Sequence, residues 1–93
     1  MIRLFRDADT EKIFKRLFVR KLPHDIQQRA FIRLNALDAA VDLEDLRLPP
    51  SNRLEALKGA RKGQHSLRIN DQWRICFVWR EGQAEQVEIV DYH

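Results

Sequence analysis

The sequence predicts an α+β fold in which two N-terminal helices pack on one face of a small, mainly antiparallel β-sheet. Three observations favour this class. The first half of the chain holds two stretches with apolar residues at helical spacing, and the second half holds three stretches of strict apolar–polar alternation. The proline pair Pro49-Pro50 separates the two patterns. Helices followed by consecutive short strands are typical of the α+β class, here as βααβ followed by a β-meander.

The first half predicts one strand and two helices. Residues 2–5 predict a short first strand. A helix of about three turns then follows, with the apolar stripe Ile13, Phe14, Leu17 and Phe18. Pro23 favours a break before the second helix, because the residue preceding a proline is biased out of the helical region. The stripe of that second helix is Ile26, Ala30, Leu34, Leu37 and Val41.

The second half predicts a sheet. Residues 43–46 indicate a helical turn, and residues 53–58 are a further candidate strand before Gly59. Three alternating strands follow, around residues 65–69, 73–79 and 87–89, with turns at 70–72 and 81–83.

Composition limits the class of protein. A chain of 93 residues, 44% apolar and 33% charged, is expected to form one domain over residues 1–93. No apolar run approaches the ~18 residues of a membrane span, and the N-terminus lacks the pattern of a signal peptide. The single Cys76 excludes an internal disulfide or a Cys-rich zinc site, and the three histidines are scattered. We therefore expect a cytoplasmic protein without membrane contact, metal or cofactor.

Strand register identifies the first candidate site. Ile69 and Trp73 both belong on the core face, which requires an odd loop of residues 70–72 between their strands. Arg68 then lies opposite Arg74 on the face away from the helices. Like charges directly across a strand pair are destabilising, so a bound anion is one explanation. The alternative is that both arginines point into water or pair with Glu88 or Glu55.

The C-terminus offers a second candidate. Asp91, Tyr92 and His93 are all capable of proton transfer, and a bend at the strand end would bring them together. By alternation Tyr92 shares a face with Glu88, while Asp91 and His93 share the other. The alternative is an ordinary frayed tail.

Charge is distributed unevenly. Residues 53–80 hold seven basic and two acidic side chains, whereas residues 81–93 hold four acidic and no basic ones. A basic block of this kind favours a polyanionic partner such as nucleic acid. A solvated charged surface is the alternative, because the whole chain carries a net charge of only +3.

Three motifs resemble one known family. They are Leu-Lys-Gly-x-Arg-x-Gly at residues 57–63, Asn-Asp-Gln-Trp-Arg at 70–74, and the terminal Asp-Tyr-His at 91–93. In this order and spacing they are similar to the HigB branch, or plasmid maintenance killer proteins, of the RelE/ParE toxin superfamily. The resemblance covers nearly the whole chain and is least distinctive in the first fifty residues.

The resemblance implies a RelE-like fold and a toxin of a type II toxin–antitoxin pair. HigB-like proteins are endoribonucleases, or mRNA interferases, that cleave messenger RNA in the A site of a translating ribosome. Their partner is a HigA-like helix-turn-helix antitoxin, and the pair binds operator DNA through that antitoxin. Two alternatives remain: a non-catalytic toxin on the same fold, as in the ParE-like gyrase poisons, and a plain nucleic-acid-binding regulator.

The same resemblance implies roles for individual residues. The family's active-site tail corresponds to Asp91, Tyr92 and His93, and its cations to Lys58 and Arg74. Register adds Arg68 to the cations, and the remaining basic residues that we expect to contact RNA are Arg53, Arg61 and Lys62. The chain departs from the family at two positions: Glu55 stands where some members have a histidine, and Ala60 stands where an aspartate is usual.

Overall fold

The computed structural model describes residues 1–92, so His93 lies outside the described residues. Two helices and four strands form the framework: α1 (Ala8–Phe14), α2 (His24–Ala39), β1 (Glu55–Ala56), β2 (His65–Arg68), β3 (Trp73–Arg80) and β4 (Gln83–Asp91). Short 3₁₀ turns lie at Leu43–Arg47, Pro50–Asn52 and Gly59–Arg61. None of the described helices is long and apolar enough to cross a membrane.

The strands form one antiparallel sheet in the order β1-β2-β3-β4. The predicted first strand is reduced to two isolated parallel bridges to β4, Ile2 with Ala84 and Phe5 with Val87. This segment still adds backbone hydrogen bonds to the outer edge of β4, for example from the Arg6 N–H to the Val87 carbonyl at 2.9 Å. The predicted α+β class, with helices on one face of a mainly antiparallel sheet, is confirmed.

Helix α2 covers the core face of the sheet with the predicted stripe. Its residues Ile26, Ala30, Leu34 and Leu37 are each at most 2% exposed. They belong to the same buried cluster as sheet residues from β2, β3 and β4, namely Leu67, Ile75, Phe77 and Val87. Val41, which was predicted to extend the stripe, is 81% exposed. The reason is that Ala40 is already extended, so the helical period ends before Val41.

Helix α1 is shorter than the sequence predicts. It ends at Phe14, and Arg16 adopts a left-handed conformation with φ of 62°. The N–H of Arg16 donates to the Ile13 carbonyl and that of Leu17 to the Lys12 carbonyl, which is the pattern of a Schellman cap. Such caps normally use glycine, so an arginine here gives no sequence indication of a helix end. The prediction that Leu17 and Phe18 continue the buried stripe is wrong.

Two further irregularities shape the sheet. β1 has only two residues rather than the predicted 53–58, because Arg53 and Gly59 both have positive φ and turn the chain away. In β4, Gln86 has φ of 53° and forms a β-bulge, so that Cys76 pairs with Glu88 but Val78 pairs with Glu85.

Candidate active site

The β2–β3 hairpin has the predicted register. Arg68 pairs with Arg74 and Leu67 with Ile75, and the Ile69 N–H donates to the Trp73 carbonyl at 2.9 Å. The turn is held by Asn70, whose side-chain oxygen accepts from two backbone N–H groups. Because Leu67 and Ile75 lie in the buried core, alternation places both arginines on the opposite side. We call this side, turned away from α1 and α2, the open face.

Cross-strand pairing brings a polar set of side chains onto the open face. One row across the sheet joins Glu55, Ser66, Cys76 and Glu88, and the next joins Arg68, Arg74 and Val90. Burial raises the pKa of the Cys76 thiol, so Cys76 stays protonated at neutral pH and is not a nucleophile. The ionised groups of this face are therefore its carboxylates and guanidiniums.

Arg74 lies at the centre of the open face. Its side chain is only 12% exposed, and its Nη1 is 3.7 Å from Glu55 Oε1. Its guanidinium carbon is 5.2 Å from the centroid of the Tyr92 ring. Within residues 1–92, neither Nε nor Nη1 of Arg74 has a hydrogen-bond acceptor. A largely buried cation with unmet donors is unfavourable by itself, and this is the arrangement expected where an anionic ligand completes the site.

Arg68 differs from Arg74 in that its guanidinium is hydrogen-bonded to a carboxylate. It forms an ion pair with Asp71, whose side chain is 97% exposed. The hydrogen bond and the positive charge of Arg68 hold the pKa of the Asp71 carboxyl below its usual range. The Arg68 carbonyl also accepts from Arg33 Nε at 3.2 Å, which ties the end of β2 to α2. An anion at Arg68 must therefore compete with Asp71.

The Arg61 side chain is hydrogen-bonded to two other side chains of the protein. Its Nη1 lies 3.1 Å from Glu88 Oε2 and 3.0 Å from the side-chain oxygen of Gln64. These contacts fold the basic turn of residues 58–63 over the open face. Arg53, Lys58 and Lys62 are exposed. Of the two carboxylates considered as partners of the paired arginines, Glu55 approaches Arg74, whereas Glu88 is engaged by Arg61.

The two described residues of the tail, Asp91 and Tyr92, contact different side chains. Tyr92, 41% exposed, lies against Arg74, and its N–H donates to the Gln72 carbonyl at 2.6 Å. Asp91 pairs in register with Trp73, and Gln72 Nε2 donates to its carboxylate at 3.0 Å. Arg61, Val90, Asp91 and Tyr92 line a depression of about 290 Å³. Sequence reasoning missed Gln72, although it lies inside the Asn-Asp-Gln-Trp-Arg motif.

The predicted site residues therefore converge only in part. Arg74 and Tyr92 are in contact, Glu55 is beside them, and Arg61 and Asp91 border the adjoining depression. Lys58 and Lys62 lie on the turn above, and His93 is not described. Among residues 1–92, no group of three or more His, Cys, Asp or Glu side chains is arranged to hold a metal ion.

This fold is that of the RelE-like toxins. Escherichia coli BL21(DE3) YafQ aligns with a TM-score of 0.58 at 11% identity, covering 98% of this chain and 93% of YafQ. A Staphylococcus aureus structure, the heterotetrameric YoeB–YefM toxin–antitoxin complex, also aligns with a TM-score of 0.58, at 18% identity over 100% of this chain and 98% of the other.

The sequence narrows the class to one family. Residues 3–93 match the profile of the RelE-like toxins of type II toxin–antitoxin system HigB, and the chain belongs to this family. It is 46% identical to Toxin HigB-1 of Vibrio cholerae serotype O1 over 65 residues, covering 70% of this chain and 68% of the relative. It is 30% identical to Endoribonuclease HigB of Proteus vulgaris over the full length of both. The chain is thus a toxin of a type II toxin–antitoxin system.

Proposed function

We propose that this toxin is an endoribonuclease that cleaves messenger RNA on the ribosome through the 2′-hydroxyl, without a metal ion. The observation that carries the proposal is Arg74, a largely buried cation beside Glu55 and Tyr92, two of whose guanidinium nitrogens have no hydrogen-bond acceptor within residues 1–92. A phosphodiester offers the acceptor oxygens that these donors lack, and arginine binds phosphate with two parallel hydrogen bonds.

The chemistry requires three kinds of group. A base removes the proton of the 2′-hydroxyl, cations stabilise the negative charge on the pentacoordinate phosphorus, and an acid protonates the departing 5′-oxygen. Each proton transfer contributes about 10²–10⁴-fold in rate, and preorganised cations contribute a comparable factor. The residues around Arg74 include candidates for all three roles.

We assign the roles as follows. Arg74 binds the scissile phosphate, and Arg68 and Lys58 add positive charge around it. Glu55 is the base, since its carboxylate lies 3.7 Å from Arg74 Nη1 and its side chain is half exposed to an incoming hydroxyl. Tyr92 stacks on a base of the RNA or moves a proton. His93 is the acid, and Asp91, held by Gln72, orients the end of the chain.

Substitutions at Glu55 test its assignment as the general base. Glu55→Gln is expected to slow RNA cleavage by about 10²-fold, because an amide cannot accept the proton. Glu55→His should retain activity but lose it as the pH falls through about 6.5, where an imidazole becomes protonated. Single-turnover rates measured across pH test both, with the exposed Glu81→Gln as the control. Equal rates for Glu55→Gln and the parent would assign the base elsewhere.

The wider surroundings of the site fit RNA phosphates. Arg53, which precedes β1, and Lys62, on the basic turn, are both exposed. We propose that they contact ribosomal or messenger RNA, positioning it without reading sequence. The cognate antitoxin is proposed to be a HigA-like helix-turn-helix protein through which the pair binds operator DNA. A toxin acting on translating ribosomes belongs in the cytoplasm.

The basic turn gives a prediction about salt. Lys62→Ala is expected to weaken ribosome binding and to reduce the slope of log affinity against log salt by up to about one unit. Arg61→Ala should weaken binding and also lower the free energy of unfolding by up to about 1 kcal/mol, because Glu88 loses the closer of its two ion pairs and keeps only Arg6, at 3.6 Å. Binding titrations over a salt series and thermal unfolding separate the two. A Lys62→Ala protein with unchanged affinity and slope would place the turn away from RNA.

The function itself is tested by cleavage on ribosomes. Purified toxin should cut messenger RNA on programmed ribosomes, and mapping of 5′ ends after induction in cells should show cuts within coding sequences. The family match gives no support to the gyrase alternative. Growth arrest accompanied by altered DNA supercoiling, with intact messenger RNA, would nevertheless contradict the endoribonuclease proposal.

A further inference from the structure

A second surface feature lies in the helical layer of the protein. The connection between α1 and α2 exposes Leu17 and Phe18, which are 53% and 63% accessible to solvent. Together with Ile13 and Phe31 they line a groove of about 360 Å³, which we call the α1–α2 groove. None of the residues lining it contributes to the depression beside Tyr92.

The exposure of Leu17 and Phe18 is built into the loop. The next residue, Val19, is only 4% exposed and anchors the connection in the core. Gln27 of α2 holds the same loop: its Nε2 donates to the Val19 carbonyl at 2.7 Å and the Leu22 carbonyl at 3.0 Å, and its oxygen accepts from the Val19 N–H at 3.1 Å. Because these hydrogen bonds fix the backbone at Val19 and Leu22, Leu17 and Phe18 are held on the surface, where they can bind a partner.

Arg16 lines the groove, and the segment that carries Leu17 and Phe18 is basic, with Lys15 paired to Glu11 of α1. Residues 15–21 contain Lys15, Arg16, Arg20 and Lys21 and no acidic side chain. The guanidinium carbon of Arg16 lies 4.5 Å from the centroid of the Phe31 ring, which places positive charge directly over the apolar floor. An occupant that complements this surface has large apolar side chains flanked by carboxylates.

We propose that the α1–α2 groove is a docking site for an acidic, apolar segment of the antitoxin. This proposal rests on the toxin–antitoxin function and adds the surface that the antitoxin uses. Apolar side chains of the segment insert against Leu17 and Phe18, and its carboxylates face Arg16, Arg20 and Lys21. Because the groove lies on the helical side of the sheet, a segment bound there leaves the open face around Arg74 unfilled.

A polypeptide fits the groove better than RNA does. Single-stranded RNA binds basic surfaces by stacking its bases on free aromatic faces. Here the Phe31 ring is covered by Arg16, and the Phe18 ring packs against His24 with centroids 5.5 Å apart. The remaining lining includes the aliphatic side chains Ile13 and Leu17, which favour insertion of apolar side chains.

Calorimetric titration of the full-length toxin with the purified cognate antitoxin tests the proposal. Leu17→Glu and Phe18→Glu, and separately the double variant Arg20→Glu/Lys21→Glu, should each weaken binding by about thirtyfold or more, the effect of losing an interface hot spot. The controls are Val41→Glu and Leu48→Glu, at exposed apolar residues outside the groove, and these should bind like the parent. Thermal unfolding confirms that each variant is folded. A glutamate at Leu17 or Phe18 could disturb folding. The double variant changes only exposed basic residues, so it tests the same surface without that risk.

Three results would overturn the proposal. The first is unchanged antitoxin affinity in the groove variants, and the second is an equal loss in the control variants. The third is unchanged antitoxin affinity together with weakened ribosome binding, which would make the groove an RNA surface. The titration needs no catalysis, so a toxin that binds the antitoxin through this groove but cleaves no RNA would contradict only the endoribonuclease proposal.

Discussion

Replacing Arg74 by methionine is expected to lower the rate of RNA cleavage by about 10²–10³-fold, because preorganised charge at the reacting phosphate is lost. Arg74→Lys should recover only part of this rate, since an ammonium retains the charge but not the two-pronged donor geometry. Single-turnover cleavage on programmed ribosomes measures the effect. Arg80→Met on the same strand is a matched control, because the Arg80 side chain is 67% exposed and pairs only with Glu85 at 3.8 Å in the described residues.

The same substitution is expected to preserve or increase stability. Arg74 is a largely buried cation with two donors that have no acceptor in the described part of the chain, so an apolar side chain of similar length should raise the free energy of unfolding by up to about 1 kcal/mol. A gain in stability accompanied by a loss of activity is characteristic of a residue kept for function. A marked fall in melting temperature for Arg74→Met would instead show that Arg74 is structural and would remove the main support for the active site.

Removing His93 is the second change with a large expected effect. Loss of the proposed general acid should lower the cleavage rate by about 10²–10⁴-fold. The free energy of unfolding should change by less than about 0.5 kcal/mol, because residue 93 follows the last apolar alternation of the sequence, Val87, Ile89 and Val90. Growth arrest and messenger RNA cleavage at matched soluble levels of protein measure the result. Antitoxin binding should be retained, because the proposed docking groove lies in the helical layer.

Tyr92 is the matched comparison for the tail. Tyr92→Phe keeps a ring beside Arg74, whereas Tyr92→Ala removes it, so a rate loss confined to alanine would assign Tyr92 to stacking. Loss of rate in both variants would assign it to proton transfer. Full activity without His93 would show that the tail is not catalytic, and a melting temperature many degrees lower would show that it belongs to the strand.

The parts of the fold that follow from local periodicity could be predicted. The stripe of α2 is recognisable from Ile26 to Leu37 because a long helix repeats its burial pattern over several turns. The β2–β3 register is recognisable because a shift of one residue would put Arg74 into the core. That register places the two paired arginines on the open face, so half of the candidate site follows from the alternation of residues along two strands.

The positions where the backbone turns or bulges could not be predicted in the same way. The Schellman cap at Arg16 and the bulge at Gln86 place non-glycine residues at positive φ, where the sequence offers no indication of a turn. They decide that Leu17 and Phe18 face solvent and that β4 changes register midway along its length.

The sequence by itself determined the family, the two-layer architecture and the pairing of Arg68 with Arg74. Only the tertiary structure decided which partner each cation has. Arg61 pairs with Glu88, 27 residues along the chain, and Arg68 with Asp71. Arg74 lies 3.7 Å from Glu55 and, within residues 1–92, two of its nitrogens have no hydrogen-bond acceptor. The physical reason is that periodicity fixes which face a side chain occupies. Its charge partner depends instead on distances between segments that meet only when the chain folds.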